Sequence, residues 1–243
     1  MDRRAGYQEW PAPAASAGSV ACLWSRVVGS GGADPALVLP DGCVDVIWCS
    51  GGDPLVAGPD TGPAPVRLAS GTVLIGARFR PGAGGPALGL PLHELRDRRV
   101  ALGDVAPQLA RRLPGHLSPT EAHQRVVRLA GELAEAGPPD LLVAEAARRL
   151  DASQTTGMVA RGLFLSERQL RRRFDAAVGY GPKTLHRVLR FRRFLAGVES
   201  RSAGVGLARL ASAAGYADQA HLTRETRELS GMTPRELVGL WRR

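Results

Sequence analysis

Residues 207–234 constrain the fold of this chain more than any other stretch, because they have the pattern of two short amphipathic helices joined by a tight turn. The first half has apolar residues at the spacing of a helix with one buried face: Leu207, Leu210, Ala211 and Ala214. The second half repeats this spacing: Leu222, Thr226 and Leu229. Gly215 separates the halves, and Asp218 is placed to cap the second. The pattern predicts a helix-turn-helix, a unit whose second helix enters the major groove of DNA.

The charge of the chain is unevenly distributed and supports this prediction. Residues 139–243 contain 19 Lys and Arg against 10 Asp and Glu, whereas residues 1–138 contain 13 of each. The formal net charge of +9 therefore lies in the C-terminal part, which is typical of a domain that binds a polyanion. The outward side of the second helix carries groups that can hydrogen-bond bases or phosphates: Gln219, His221, Thr223, Arg224 and Arg227. A solvated basic surface on an ordinary helical domain is the alternative.

Length and composition limit the number of domains and the class of protein. The 243 residues allow one large or two modest domains. No apolar run reaches the roughly 18–20 residues of a membrane span, and residues 1–18 lack the apolar core of a signal peptide, so we expect a cytoplasmic protein. The three cysteines, Cys22, Cys43 and Cys49, form no C-x-x-C pair. We expect buried thiols in a reducing compartment, with a redox sensor as the alternative.

Residues 1–103 have the pattern of a β-rich domain. Strand-like runs at 19–28, 44–49 and 72–79 are separated by Gly and Pro clusters. The run at 44–49 is apolar on both alternating faces, so this strand should be covered on both sides. Short strands with such turns predict a small sandwich or barrel, cupin-like in its general form, within a chain of the α+β class.

The pattern becomes helical near residue 104. A capping box at 118–121 opens a helix that should end near Gly137, and its apolar residues fall on one face: Ala122, Val126, Leu129, Ala130 and Leu133. This face must pack either on the N-terminal domain or on a second subunit. We therefore expect residues 104–137 to form a helical linker and possible dimerisation segment.

Residues 138–243 should form an all-α domain with a second helix-turn-helix upstream of the first. One helix starts at Asp140, and a capping box at 166–169 opens another that buries Leu170, Phe174 and Ala177. Three arginines on that helix should face outward: Arg168, Arg171 and Arg172. A long basic helix from Lys183 to about residue 197 should bridge the two units.

Motifs in both units resemble those of the AraC/XylS family of bacterial transcription regulators. They are FDAAVGYGP at 174–182, GYADQAH at 215–221 and GMTP at 231–234. The resemblance covers about residues 140–240. Residues 1–103 are similar to a sensor-type domain that precedes this DNA-binding domain in part of the family, through LPDG at 39–42, AGPDT at 57–61 and GARFRPG at 76–82. The resemblance implies a sequence-specific transcription regulator that binds double-stranded DNA and is controlled by a small-molecule effector bound to the N-terminal domain. A homodimer and contact with RNA polymerase are further expectations.

Transferred by position, the base-reading surface of the family falls on eight residues of this chain: Arg168, Arg171, Arg172, Gln219, Ala220, His221, Thr223 and Arg224. A capping role is the alternative for His221, and Tyr180 and Tyr216 should be packing residues. Two positions depart from the family. Phe164 stands where the family has a turn glycine, which makes a left-handed turn costly. Thr226 stands where the family has an apolar, commonly aromatic, core residue. Because of the turn at Phe164, we expect the first unit to discriminate between bases less strongly than the second.

The N-terminal domain has no motif of an enzyme, so we expect no catalytic residues. Its one histidine, His93, cannot make a multi-histidine metal site, and we expect no metal and no cofactor. Arg78 and Arg80, two apart on a strand, are candidates for binding an anionic effector. The alternative function is a DNA-repair or other enzyme with an appended DNA-binding domain, whose nucleophile would be a cysteine with a stabilised thiolate.

Overall fold

The computed structural model describes residues 6–29, 34–200 and 206–241. Within these ranges the N-terminal part is β-rich, and the C-terminal part is entirely helical. The α+β class, with a β-rich domain followed by helical segments, is confirmed.

Eight strands are described, and they form two antiparallel sheets. The larger sheet has the order β1-β2-β7-β4-β5-β8, and β3 pairs with β6 in a separate two-stranded ribbon. The bounds of the strands are β1 Tyr7–Pro11, β2 Val20–Val27, β3 Asp34–Val38, β4 Val44–Cys49, β5 Leu55–Ala57, β6 Ala64–Leu68, β7 Val73–Phe79 and β8 Arg99–Ala101.

The six-stranded sheet is covered on both faces at its centre. In β4, Val46 and Trp48 are buried in the main core, while Ile47 belongs to a smaller cluster with Trp24 on the other face. Trp48 is fully buried, and its Nε1 donates to the Pro114 carbonyl over 2.9 Å. The prediction that this strand is covered on both sides is confirmed.

Eleven helices lie in the described ranges, in addition to 3-10 turns at 14–16 and 92–94. Their bounds are α1 Gly84–Leu88, α2 Leu102–Val105, α3 Pro107–Ala110, α4 Pro119–Ala136, α5 Leu141–Asp151, α6 Thr156–Gly162, α7 Glu167–Ala177, α8 Pro182–Glu199, α9 Leu207–Ala214, α10 Gln219–Ser230 and α11 Pro234–Trp241. None of these helices combines the length and apolar character that a membrane crossing requires.

The position of α4 shows whether its apolar face packs on the N-terminal domain or is left for a second subunit. Its N-terminus has the predicted capping box, in which the Glu121 amide donates to Ser118 Oγ and the Ser118 amide donates to the Glu121 carboxylate. Its five predicted apolar residues are all buried in the same core as Trp48 and Phe79. The apolar face of α4 therefore packs on the sheet of its own chain and leaves a polar outer face.

The C-terminal helices are organised around two hydrophobic cores. The first joins α5, α6 and α7 around Leu170 and Phe174, and the second joins α9, α10 and α11 around Leu222 and Leu229. Helix α8 contributes Leu185 to the first core and Phe191 to the second. The prediction that this long helix bridges two units is confirmed.

The two domains pack closely through glycines. A Cβ atom on Gly82 would lie 2.9 Å from Val143 Cγ1, and a Cβ atom on Gly85 would lie 3.0 Å from the Ala176 carbonyl oxygen. Both distances are shorter than nearly all real Cβ contacts, so a larger residue at either position would require its neighbour on α5 or α7 to shift. The helical half is docked directly on the β-rich half.

Candidate nucleic-acid interface

Both helix-turn-helix units use the same backbone turn. In the second unit Gly215 has a φ of +88°, and the Tyr216 amide donates to the Ala211 carbonyl over 2.9 Å. In the first unit Phe164 has a φ of +55°, and the Leu165 amide donates to the Ala160 carbonyl over 2.9 Å. This hydrogen-bond pattern is the Schellman motif, which favours glycine at the left-handed position. Phe164 thus reproduces the geometry of the turn, at the conformational cost predicted from the sequence.

The first recognition helix, α7, begins at the predicted capping box. The Gln169 amide donates to Ser166 Oγ over 3.2 Å, and the Ser166 amide donates to Gln169 Oε1 over 2.8 Å. Arg168, Arg171 and Arg172 are all exposed on the helix surface, as predicted. Their guanidinium groups can therefore reach a partner outside the protein.

The second recognition helix, α10, is capped by Asp218, whose Oδ1 accepts from the His221 amide over 2.7 Å. Gln219, Ala220 and Arg224 are exposed at the start of this helix. Their position corresponds to the part of a recognition helix that contacts base edges.

Two of the predicted reading residues instead have partners within the protein. His221 Nε2 lies 3.2 Å from Glu225 Oε1, and its Nδ1 accepts from the Ala217 amide over 3.5 Å. Its ring also packs edge-on against Tyr216. Thr223 Oγ1 donates to the Gln219 carbonyl over 2.8 Å. These contacts favour the capping alternative for His221 and leave the reading roles of both residues as predictions.

Glu225 is a central residue that the sequence analysis missed. Its side chain is only 9% exposed, and it accepts from Arg190 over 2.5 and 3.1 Å while Arg187 Nε lies 3.3 Å away. Because Arg187 and Arg190 belong to α8, this cluster fixes α10 on the bridging helix. The sequence signal was the His221–Glu225 spacing of four residues, which places both groups on one helix face.

The two tyrosines of the family motifs are packing residues, as predicted. Tyr180 is buried in the first core and Tyr216 in the second. The guanidinium of Arg190 stacks over the Tyr216 ring at 5.0 Å from its centre. Thr226 is also fully buried, and its hydroxyl has no hydrogen-bond partner among the described residues.

Arg78 and Arg80 both have partners within the protein, and their role in binding an anionic effector stays a prediction. Arg78 Nε lies 3.1 Å from Asp45 Oδ1 and 3.2 Å from Asp41 Oδ2, and Arg78 Nη1 lies 3.4 Å from Glu9 Oε1. Three carboxylates therefore already surround its charge. Arg80 lies beyond the end of β7, and its Nε donates to the Ala17 carbonyl over 2.9 Å. An anionic effector would meet a net negative cluster at Arg78.

The electrostatics of this cluster follow from burial and from the arginines beside it. Burial raises the pKa of Asp45 in spite of the Arg78 charge. Burial also acts on Asp41, but the charges of Arg78 and Arg192 and the hydrogen bond from the Cys43 amide are among the causes that lower its pKa, and the net direction is down. The nearby carboxylates thus differ in how readily they accept a proton.

The three cysteines are free thiols in environments that disfavour the thiolate. Burial raises the pKa of Cys22 and of Cys49 to about 11. Burial also raises the pKa of Cys43, and the neighbouring Asp41 charge adds to the effect. A nucleophilic cysteine requires the opposite shift, so the environment of these thiols gives no support to the repair alternative.

Comparison with known families agrees with this architecture. Residues 159–239 match a family described as a helix-turn-helix domain, and residues 8–101 match one described as a domain of unknown function (DUF6597). The chain thus carries an AraC-type helix-turn-helix domain behind an N-terminal domain of a separate family, and the resemblance to AraC/XylS regulators is confirmed. No curated protein matches the chain significantly.

Solved structures with a distant likeness include those of ToxT from Vibrio cholerae. An apo form of a single-substitution variant from strain SCE256 has 10% identity and a TM-score of 0.47, over 90% of this chain and 97% of that chain. ToxT from strain O395 has 9% identity and a TM-score of 0.46, over 98% and 99% of the two chains. The unsaturated fatty acid-bound wild-type form from strain SCE256 has 9% identity and a TM-score of 0.43, over 98% and 96%.

Proposed function

We propose that this chain is a sequence-specific transcription regulator in which residues 138–243 bind double-stranded DNA. Helices α7 and α10 would enter successive major-groove segments on one face of the duplex, about one helical turn apart. Arg168, Arg171 and Arg172 would contact the first segment. Gln219, Ala220 and Arg224 would contact the second, with His221 and Thr223 positioned behind them.

The observation that carries this proposal is the exposure of these side chains on two matching units. Each unit presents a capped helix after a Schellman turn, and each helix has exposed polar groups at its N-terminal half. Three arginines of α8, in contrast, are engaged within the protein: Arg187 and Arg190 bind Glu225, and Arg193 binds the Asp151 carbonyl. The recognition helices therefore present arginines to a polyanion more openly than the bridging helix does.

Binding of the full chain to fluorescent duplexes at several salt concentrations tests the proposal. Duplexes recovered by the protein from a randomised library serve as specific probes, and a random-sequence duplex serves as the control. Affinity should fall steeply with salt, with a slope of about −0.9 for each phosphate contacted. Binding that is independent of salt, or no binding to any duplex, would contradict the proposal.

Control by a small molecule is part of this proposal. A shallow groove of about 590 Å³, open to solvent, lies between the domains, and its walls come from α1, the segment after α1 and α7: Pro86, Leu90, Arg172 and Ala176 are among its lining residues. This volume is within the range of small-molecule sites. A ligand there would touch both domains and Arg172, and it would change DNA binding to the extent that it binds the free and DNA-bound arrangements with different affinity.

The proposal also concerns a homodimer, RNA polymerase and the location of the protein. The apolar face of α4 is occupied by the sheet, so a homodimer would have to use another surface. Contact with RNA polymerase and a cytoplasmic location stay predictions. The absence of catalytic activity is tested by assaying the purified chain on damaged DNA before and after thiol alkylation.

A further inference from the structure

Two loops of the N-terminal domain reach both helix-turn-helix units. They leave the same end of the β3–β6 ribbon, where Val38 pairs with Ala64: residues 39–42 follow β3 and residues 58–63 precede β6. LPDG at 39–42 and GPDT at 58–61 belong to the strings that resemble the sensor-type domain. DNA binding as described above gives these strings no role, so their contacts need a separate explanation.

The loop at 58–63 touches the C-terminal ends of both recognition helices. A Cβ atom on Gly179, which follows α7, would lie 2.6 Å from Pro59 Cγ. A Cβ atom on Gly231, the C-cap of α10, would lie 3.8 Å from Pro63 Cγ. Pro59 therefore packs closely on the end of α7, and Pro63 lies beside the end of α10.

The loop at 39–42 makes a second pair of contacts. Leu39 packs against the core of the second unit. A Cβ atom on Gly42, whose φ is +84°, would lie 2.8 Å from Leu185 Cδ1 in the first core. Arg192 of α8 also donates to the Asp41 carbonyl over 3.3 Å. Each loop thus contacts both units.

The loop at 58–63 is held in shape by the segment that leads into β8. Asp60 forms a two-bond ion pair with Arg99. The Thr61 amide donates to Asp97 Oδ1 over 2.6 Å, and the Gly58 amide donates to the Arg98 carbonyl over 2.9 Å. The proline rings restrict the backbone further. The loop therefore presents a stiff surface to the two helices.

We propose that residues 39–42 and 58–63 form an interdomain brace that fixes the distance and angle between the two recognition helices. The N-terminal domain would thereby determine which spacing of DNA elements the protein accepts. Arg168, Arg171 and Arg224 stay exposed while the brace is in contact, so the docked arrangement leaves the reading surface open. This inference rests on the proposed DNA binding.

The spacing of the DNA elements is the property that the brace controls. One inserted base pair moves the second element by about 3.4 Å and rotates it by about 35°. A rigid pair of helices cannot follow this change and loses the contacts of one unit. A pair connected through α8 alone can adjust, because the contacts between the two helix ends and the loop no longer restrain it.

The test measures the affinity of full-length variants for duplexes recovered by the wild type. Each duplex is used with and without one inserted base pair between the two DNA elements that the recognition helices contact. Pro63→Gly removes the ring that lies beside Gly231, and Arg99→Gln removes the ion pair that anchors Asp60. Pro65→Gly is the matched control, because Pro65 is exposed within β6. Thermal unfolding of each variant verifies that it is folded.

The wild type and Pro65→Gly should lose about tenfold or more in affinity on insertion, comparable to a mismatched site. Pro63→Gly and Arg99→Gln should lose about threefold or less, with little change on the original duplex. Folded variants that keep the full wild-type discrimination would overturn the brace. If the wild type binds no duplex at all, the proposed function itself fails, which is a separate result.

Discussion

Replacing Glu225 by alanine should destabilise the C-terminal domain by about 3 kcal/mol. The carboxylate is nearly buried and lies against Arg190, whose side chain is only 13% exposed. Removal of one partner from a buried ion pair costs about 3–5 kcal/mol, because the other charge stays desolvated without compensation. Arg187 is more exposed and keeps its second partner, Glu228, so the lower end of this range applies.

Urea unfolding followed by far-ultraviolet circular dichroism measures this loss, because helices dominate the signal of the domain. With a slope of about 3 kcal/mol/M, the midpoint should fall by about 1 M. Glu225→Gln keeps an acceptor for Arg190 without the charge and should lose about 1–2 kcal/mol. Since Glu225 also contacts His221, we expect weaker binding to the specific duplex at temperatures where the variant is folded.

Glu228→Ala is the matched control for this prediction. Glu228 lies on α10 like Glu225, and it also pairs with Arg187 of α8. Because the Glu228 side chain is 61% exposed, its loss should cost less than about 1 kcal/mol. A Glu225→Ala variant as stable as Glu228→Ala would refute the reasoning. It would mean that Arg190 finds water or another acceptor when Glu225 is absent.

Three further substitutions test the reading helices and the turn. Arg224→Ala should cost about 1–3 kcal/mol on the specific duplex and little on random DNA; an equal loss on both, measured by fluorescence anisotropy, would make Arg224 a phosphate contact. Arg171→Ala and Arg172→Ala should change base preference less than Arg224→Ala, because the strained turn lowers the stability of the first unit; larger effects in binding-site selection would make that unit the main reader. Phe164→Gly should raise stability by about 0.5–1 kcal/mol in thermal unfolding, since glycine has no left-handed penalty. Phe164→Ala retains Cβ and should gain nothing, so an equal gain would show that the exposed ring, not the backbone, was unfavourable.

Local sequence signals predicted most of the helical architecture. The caps at Ser118, Ser166 and Asp218 and the buried faces of α4, α7 and α10 depend on residues three or four apart, which a helix brings together on its own. The long strands β2, β4 and β7 were also predicted. Short strands such as β5 and β8 were not, because they have only three residues and gain their pairing from distant partners.

The partners of charged side chains could not be predicted from the sequence. Arg78 was expected to face a ligand, but Glu9, Asp41 and Asp45 reach it from three separate segments. Glu225 was overlooked because Arg190 lies 35 positions earlier on another helix. Such pairs depend on the packing of whole elements, and no periodicity within one element indicates them.

The glycines at the domain contact bear on how this protein can evolve. Gly82 and Gly85 in one domain fit against Val143 and Ala176 in the other with no space for a methyl group. A gene fusion that attached this reader to an unrelated sensor would bring bulkier residues to the same junction, and the partners would separate. We therefore expect the two halves to be inherited as a matched pair, in which a substitution on either side of the junction must be compatible with the shape of the other.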